Sequence, residues 1–259
     1  MCIRDSYYTL DGTDPRKPSA GGQQDALTLV AESASKAVWV PTEDIDLSWA
    51  GGAEPFDDSA WTDGTPIVSG TSGGVGYERS TGYEKYIAYD VQSQMYGRTE
   101  ACYIRIPFTV GAGDLADFNY MTLRVRYDDG FVAYLNGTQI AVANASVSPA
   151  WNEGAAASHD DISATFFEEF NCSAFVDRLH PGDNILAIHG MNSGITSSDF
   201  LISVALIAGE DTNAGLLSPS ARVYTEGVAL DGSVQIKARV WENGQWSALH
   251  EAVFTLGLP

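Results

Sequence analysis

The sequence predicts an all-β protein made of two β-sandwiches, a large central one and a smaller one. Segments in which apolar and polar residues alternate, as they do in half-buried strands, recur along the chain. Glycine and proline, at 26 and 10 of the 259 residues, are frequent enough to supply many turns between short strands. No stretch of the sequence has the pattern of a long amphipathic helix, so strands are expected to form the layers of the fold.

The clearest strands lie in the middle of the chain, before and after Asp128-Asp129-Gly130. Residues 123–127 alternate between apolar residues and arginines, so one face of this strand is expected to be buried. We predict a tight hairpin at the Asp-Asp-Gly, with Gly130 in the positive φ that such a turn requires. A second turn is predicted at Asn136-Gly137. The strands predicted in this part of the chain span 101–110, 121–127, 131–135, 138–144, 185–190 and 200–208.

Both ends of the chain also contain strand and turn patterns. Residues 26–40 fit no clean period, and this stretch could be a strand or an irregular crossing. Further strands are predicted at 7–10, 221–224, 233–241 and 251–256. Loops are predicted at 17–24, 73–77 and 209–215, a helical turn within 170–179, and an Asn-Gly hairpin turn at 242–245.

The charge of the chain restricts its partners. With 34 acidic and 14 basic residues, the formal net charge is −20, which repels phosphate backbones and argues against nucleic acid as a partner. No run reaches the roughly 20 apolar residues of a membrane span. Residues 1–6 have no apolar signal-peptide core and look foreign to the rest, so we expect a non-native start on a fragment of a longer protein.

Two cysteines, Cys102 and Cys172, remain when Cys2 is assigned to that foreign start. An even pair fits one disulfide formed in an oxidising compartment, and two buried free thiols fit as well. We predict that the two lie within bonding reach. Neither has a His or Cys neighbour at zinc-ligand spacing, which argues against a structural zinc site.

Several motifs of the central segment point to one family. They are Phe-Asp-Asp-Ser-Ala-Trp at 56–61, Gly-Gly-Val-Gly-Tyr at 73–77, Tyr-Ile-Arg at 103–105, the stretch 128–137, and Gly-Asp-Asn-Ile-Leu-Ala-Ile-His at 182–189. With them, residues 36–208 resemble the galactose-binding-like jelly-roll modules of large bacterial extracellular proteins. The resemblance implies a jelly-roll sandwich. Carbohydrate-binding modules and structural spacers both use this fold, so the fold does not decide between those functions.

The flanking segments resemble a second family, the chitobiase/β-hexosaminidase C-terminal-like module, which implies a smaller immunoglobulin-like β-sandwich. Its front half is similar to residues 8–16, and its back half to residues 218–221, 236–240 and 246–249. Either the jelly roll is inserted into this module, or two truncated copies flank it. We favour insertion, because each half lacks what the other supplies. The expected domains are 7–35 and 216–257 for the small sandwich and 36–208 for the jelly roll, and strand 7–10 should pair within the same sandwich as 233–241.

Catalytic and metal-binding patterns are weak. Asp128 and Asp129 could hold Ca²⁺, which takes carboxylate and carbonyl oxygens, or could simply cap the backbone of a turn. A similar Asp-Asp-Gly turn holds calcium in some sugar-binding β-sandwiches. We interpret Asp57-Asp58-Ser59 as a cap or turn, and His189 as a hydrogen-bonded core histidine. No Gly-x-Ser-x-Gly elbow occurs and the acidic pairs are adjacent in sequence, so we expect a chain that is not an enzyme.

A sugar-binding site needs aromatic faces beside planar polar groups. The residues available in predicted loops are Tyr77, Tyr83, Tyr86, Trp151 and Asn152, and the glycines at 73–76 would let the backbone approach a ligand. These aromatic residues could equally well cover one open end of the sandwich. The sequence therefore predicts a non-catalytic carbohydrate-binding or substrate-positioning module, with polysaccharide and the neighbouring domains of a surface or secreted protein as partners. The alternatives are a ligand-free spacer and an accessory part of a glycan-active enzyme.

Overall fold

The computed structural model describes residues 5–16, 26–61, 71–210, 217–218, 220–225, 227–242 and 245–255. The chain divides into two compact units, one of Met1–Asp25 with Glu210–Pro259 and one of Ala26–Gly209. Strands dominate both units, so the all-β prediction is confirmed. Among the helices of the described ranges, none combines the length and the apolar composition that a membrane-spanning helix needs.

The strands, in chain order, are β1 (Asp5–Thr9), β2 (Leu27–Val30), β3 (Ala37–Trp39), β4 (Gly74–Glu78), β5 (Ile87–Asp90), β6 (Ala101–Val110), β7 (Tyr120–Asp128), β8 (Gly130–Leu135), β9 (Thr138–Ala143), β10 (Glu168–Asn171), β11 (Gly182–Met191), β12 (Asp199–Gly209), β13 (Arg222–Val223), β14 (Val234–Glu242), β15 (Gln245–Trp246) and β16 (His250–Phe254). The helices are α1 (Gln92–Met95), α2 (Ala112–Asp117), α3 (Asp161–Ala164) and the 3₁₀ helices Leu47–Ala50 and Ser173–Arg178.

The larger unit is a sandwich of two sheets. The β7 sheet has the order β10-β7-β12-β4-β5, with β2 also paired to β12, and the β6 sheet has the order β3-β6-β11-β8-β9. Alternate residues of the strands point between the sheets, so Ile104 and Ile106 of β6 meet Leu123 and Val125 of β7 in one apolar interior. The strands predicted from alternation in this unit are present, because period-2 patterns report a half-buried strand directly.

The turns on either side of β8 differ from each other. At Asn136-Gly137 the predicted turn joins β8 to β9, and both residues have positive φ, 48° and 80°. At Asp128-Asp129-Gly130 the predicted hairpin is wrong, because β7 and β8 belong to different sheets and the chain crosses the sandwich there. Gly130 accordingly lacks the positive φ expected of it.

The glycine-rich stretch 73–77 forms most of a buried strand, β4, rather than the predicted loop. Its glycines serve close strand pairing. A Cβ atom added to Gly76 would lie 2.0 Å from the carbonyl oxygen of Phe200 on the neighbouring strand β12. The backbone approach expected for a ligand is therefore an approach of one strand to another.

In the smaller unit, the strands within the described residues belong to one five-stranded sheet of order β13-β1-β14-β15, with β16 also paired to β14. The predicted pairing of 7–10 with 233–241 is present, with Tyr7 opposite Arg239 and Tyr8 opposite Ala238. Arg239 also forms a bidentate pair with Asp14, at 2.8 and 2.7 Å, so the two ends of the chain meet in one sheet. Asn243 and Gly244 of the predicted hairpin turn lie outside the described residues.

Two other expectations differ from the structure. β2 pairs with β12 in the larger unit, so the units divide at Asp25/Ala26 rather than at 35/36. The predicted disulfide is absent, since Cys102 and Cys172 are both free, buried thiols. The Cys172 Sγ donates to the carbonyl oxygen of Ile140 at 3.6 Å, and burial raises the pKa of this thiol to about 11, so it is satisfied as a protonated group.

Candidate functional site

The β6 sheet carries large side chains on its outer face, away from the interior of the sandwich. Tyr103 and Arg105 on β6 alternate with the interior residues, and Tyr134 on β8 and His189 on β11 do the same. All four are buried. Their burial comes from two irregular segments, residues 41–61 and residues 144–155, which we call the covering segment and the second wall.

The covering segment packs tryptophans against the outer face. Trp49, on the 3₁₀ helix, stacks on Tyr103 with ring centroids 4.1 Å apart and planes 7° apart. The ring centroids of Trp61 and Trp39 are 5.6 Å apart. Offset aromatic contacts of this kind add about 0.5–1.5 kcal/mol each to the burial of apolar area. The segment is therefore folded onto the sheet by a compact aromatic cluster.

Arg105 fastens the covering segment to the sheet. Its Nε donates to Oδ2 of Asp58 and its Nη2 to Oε1 of Glu54, both at 2.8 Å, and its Nη1 donates to the backbone oxygen of Trp49. The guanidinium also lies 4.8 Å from the ring centroid of Phe56. The prediction of a turn at 57–59 holds for Asp57, which accepts from the Ser59 N–H at 3.1 Å, whereas Asp58 is an ion-pair partner.

The second wall packs on the same face of the sheet. The Tyr103 hydroxyl donates to the backbone oxygen of Trp151 at 3.3 Å. Glu153 braces the segment internally, because its carboxylate accepts from the Ala150 N–H at 2.9 Å and from the Ser146 hydroxyl at 2.8 Å. These hydrogen bonds, that of Ala150 first, hold the pKa of Glu153 below its ordinary value.

A cavity of about 380 Å³ remains between the sheet, the covering segment and the second wall. We call it the outer pocket. This volume lies in the range of small-molecule sites. Aromatic and aliphatic side chains line it together with a few polar ones: Asp44, Ile45, Asp46, Leu47, Trp49, Tyr103, Tyr134, Gly137, Gln139, Val147, Ser148, Pro149, Trp151 and His189.

His189 is the buried polar group of this lining. Its side chain is 2% exposed, and its Nε2 has no hydrogen-bond partner. The imidazole packs edge-on against Tyr103, with centroids 4.7 Å apart. Burial lowers its pKa to about 3, against a small opposing effect of Glu153, so the ring is neutral at pH 7. The interpretation of His189 as a core histidine holds for its burial, but Nε2 lacks the expected hydrogen bond.

The structure does not bring the predicted ligand-binding residues together. Tyr77 lies in the sandwich interior, and Tyr83 is buried on the outer face of the β7 sheet, where Tyr86 packs beside it. Trp151 lines the outer pocket, and its neighbour Asn152 is exposed outside that lining. Tyr77 and Tyr83 are satisfied in place, since their hydroxyls donate to the backbone oxygens of Ser197 and Asp161, respectively.

The two acidic residues considered for calcium have different roles. Asp129 accepts backbone N–H groups from His159 and Ser193, each at 2.8 Å. Burial first, and then the neighbouring Asp129, raise the pKa of Asp128 to about 9, so Asp128 is protonated at pH 7. Among the residues that the structure describes, no three His, Cys, Asp or Glu side chains converge as a metal site.

Sequence reasoning missed most of the outer pocket. Tyr103, Tyr134 and His189 alternate with interior residues, and such positions are expected to be solvated and polar. Large aromatic residues on both faces of the same strand were the available signal that something covers the outer face. Trp49 and the acidic residues Asp44 and Asp46 belong to an irregular segment that has no periodic pattern.

No protein-family model matches the chain, and no curated protein matches it either. Parts of several solved enzymes are similar to it. The β-glucuronidase of Bacteroides uniformis is 14% identical over 90% of this chain and 26% of that chain, with a TM-score of 0.43. A β-glucuronidase of an uncultured Clostridium is 11% identical over 89% of this chain and 39% of that chain, with a TM-score of 0.38.

The exo-chitosanase CsxA of Amycolatopsis orientalis is 14% identical over 89% of this chain and 33% of that chain, with a TM-score of 0.34. The chain thus spans less than half the length of each of these enzymes. Similarity at such TM-scores does not establish a common fold or activity, and the function proposed below rests on this chain's own residues.

Proposed function

We propose that this chain is a non-catalytic carbohydrate-binding module of a larger surface or secreted protein, and that the outer pocket is its ligand site. The observation that carries the proposal is a pocket with aromatic walls whose lining includes His189, a buried imidazole with an unpartnered Nε2. Of the residues expected to bind sugar, Trp151 belongs to this site. The proposed partners are polysaccharide and the other domains of the parent protein.

A sugar ring matches the pocket chemically. Its C–H patches suit the aromatic side chain of Trp151, and its hydroxyls suit Gln139 and the rim carboxylates. Neutral imidazole carries one donor and one acceptor nitrogen, and a hydroxyl can serve as either partner. A hydroxyl within hydrogen-bond distance of Nε2 therefore satisfies this atom in either tautomer.

The acids of the pocket favour binding over cleavage. Glycoside hydrolysis uses two carboxyl groups that flank the scissile bond, about 5–10 Å apart. The carboxylates of the lining, Asp44 and Asp46, lie two residues apart on the same wall. Asp46 is further engaged as a cap, since its Oδ1 accepts from the Ser48 N–H at 2.8 Å. No lining carboxylate faces them from the second wall among the described residues.

The proposal is tested by titrating the chain with a panel of oligosaccharides, using calorimetry and NMR. Trp151→Ala removes a wall of the pocket but keeps the backbone oxygen that Tyr103 contacts. We expect this variant to lose at least about tenfold in affinity, because stacking on one aromatic residue contributes on the order of 1.4 kcal/mol or more. Its melting temperature should change little.

Phe166→Ala is the matched control, since Phe166 is 66% exposed and does not line the pocket. It should bind as the parent chain does. If no oligosaccharide of the panel binds the parent chain, and Trp151→Ala lowers only its stability, the proposal fails and the ligand-free spacer stands.

A further inference from the structure

We propose that the outer pocket selects sugars that carry an ammonium group over neutral sugars, and excludes sugars that carry a carboxylate. This inference rests on the proposed function, because it specifies the class of saccharide that the same pocket takes. It derives from the charge of the pocket lining, the neutrality of His189 and the aromatic character of the walls.

The formal charge on the lining is negative. Asp44 and Asp46 are exposed on the rim, and the lining contains no Lys or Arg among the described residues. The charge of Asp44 also affects Tyr103 in the pocket lining. Burial first, and then the charge of Asp44, raise the pKa of the Tyr103 hydroxyl. Arg105, which fastens the covering segment to the sheet, is already paired with two carboxylates.

His189 does not compensate for these charges. A protonated imidazole would be the natural partner for a uronate, but this ring is buried and neutral at pH 7. A carboxylate that entered the pocket would lose hydration without gaining a cationic partner, which is costly.

The aromatic walls act in the same direction. The faces of Trp and Tyr rings carry negative potential and attract cations. Trp49, Tyr103, Tyr134 and Trp151 line the pocket, and of these four Trp151 is the one that is only partly buried. Leu47 and Val147, which are 60% and 68% exposed, add an aliphatic rim from the covering segment and the second wall. An amino sugar can place its apolar face between these rims and its ammonium beside the carboxylates.

The test uses three methyl β-glycosides that differ in one substituent, those of glucosamine, glucose and glucuronic acid. Each is titrated into the parent chain by NMR at mildly acidic pH, where the amine is protonated. We expect glucosamine to bind about three- to tenfold more tightly than glucose, which is the effect of one or two exposed carboxylates, and glucuronate not to bind. Added salt should reduce the preference for glucosamine, because it screens exposed charges.

Asp44→Asn and the double variant with Asp46→Asn should lower the ratio of glucosamine to glucose affinity towards one. Asp57→Asn is the matched control, since Asp57 caps the Ser59 N–H as Asp46 caps that of Ser48 but does not line the pocket. It should leave the ratio unchanged.

The two proposals fail in different ways. Equal affinities for glucose and glucosamine, binding of glucuronate, or an unchanged ratio in the double variant would overturn the selectivity and leave carbohydrate binding in place. Absence of binding by these glycosides and by the whole oligosaccharide panel would overturn carbohydrate binding itself.

Discussion

The sandwich interior and the outer face of the β6 sheet are both buried and both rich in large apolar side chains, and the outer face contains the outer pocket. The interior lies between two regular sheets, whose side chains alternate and interdigitate. The outer face lies under irregular segments held at a few points, among them Arg105 and the stacked Trp49. A regular partner fills space along its whole length, whereas a segment attached at points leaves gaps between them.

The side chains buried in the interior and on the outer face differ in chemistry because a sheet covers one region and loops cover the other. In the interior, residues such as Ile104 and Ile106 of β6 meet Leu123 and Val125 of β7. Beneath the covering segment, by contrast, Arg105 and His189 are buried beside aromatic rings. Loops bring polar backbone groups and caps with them, so a face covered by loops can combine apolar walls with hydrogen-bonding groups. That combination makes the outer face the better candidate for a site.

The largest effect is expected in the interior, for Phe131→Ala. Phe131 is fully buried and packs on Tyr127 and Phe170 at 5.1 and 5.2 Å. Truncation should lower the free energy of unfolding by about 3–5 kcal/mol, measured by urea denaturation. Phe166→Ala, at an exposed position, should cost less than about 0.5 kcal/mol. Similar losses for both variants would contradict the assignment of Phe131 to a close-packed interior.

Arg105→Met should have an intermediate effect, because it detaches the covering segment while keeping an apolar stem. The Trp49 carbonyl loses its donor, which costs about 1–3 kcal/mol. The carboxylates that pair with Arg105, those of Glu54 and Asp58, are exposed enough to be hydrated in the variant. We expect faster proteolysis within residues 41–61 and loss of saccharide binding. Arg105→Lys should recover only part of this, since an ammonium lacks the forked donors of guanidinium. Unchanged proteolysis in the Met variant would show that Arg105 does not fasten the segment.

Asp128 lies on the outer face of the β7 sheet, and the Asp128→Asn variant tests whether its buried carboxyl keeps a proton in the folded chain. The folded-state pKa of Asp128 is about 9 against an ordinary 3.8, so the folded chain keeps a proton that the unfolded chain loses. The stabilisation from this group is complete below 3.8 and declines as the pH rises towards 9. The amide variant lacks this decline, and at about pH 8 it should be more stable than the parent chain by at least about 1 kcal/mol.

Thermal melts of Asp128→Asn across the pH range provide the measurement. The advantage of the variant should vanish near pH 4, a value close to the ordinary pKa of Asp128. Asp129→Asn is the companion variant, and it should be destabilised because Oδ1 and Oδ2 of Asp129 each accept a backbone N–H group, whereas the amide keeps only one of these acceptors. An advantage of Asp128→Asn that does not depend on pH would exclude the protonated carboxyl.

The remaining effect, expected for His189→Gln, appears in acid. The folded-state pKa of His189 is about 3 against an ordinary 6.5, so its contribution to stability is complete above 6.5 and declines as the pH falls towards 3. The parent chain should lose more stability than the variant between these pH values, as followed by chemical denaturation. Equal losses in both proteins would place His189 in contact with solvent.

Local pattern determined much of the architecture. Alternation along residues 123–127 defines β7 and its buried face, and the Asn136-Gly137 dipeptide defines a turn that needs two positive φ values. Complementary half-motifs at the two ends of the chain predicted the pairing of β1 with β14. Each of these features is written in neighbouring residues or in motifs that can be matched directly.

Tertiary structure alone decided the partners of those elements. Alternation tells which side of a strand is buried, but it does not tell which sheet the strand joins, and so the crossing between β7 and β8 was predicted as a hairpin. A glycine at position 76 is compatible both with a loop and with a closely paired strand. The close approach of Phe200 shows that it belongs to a strand pair. The outer pocket depends on Arg105 meeting Asp58 and Trp49, residues far away along the chain. Such contacts are fixed by long-range packing and chain closure, and a local periodic pattern in the sequence carries no information about them.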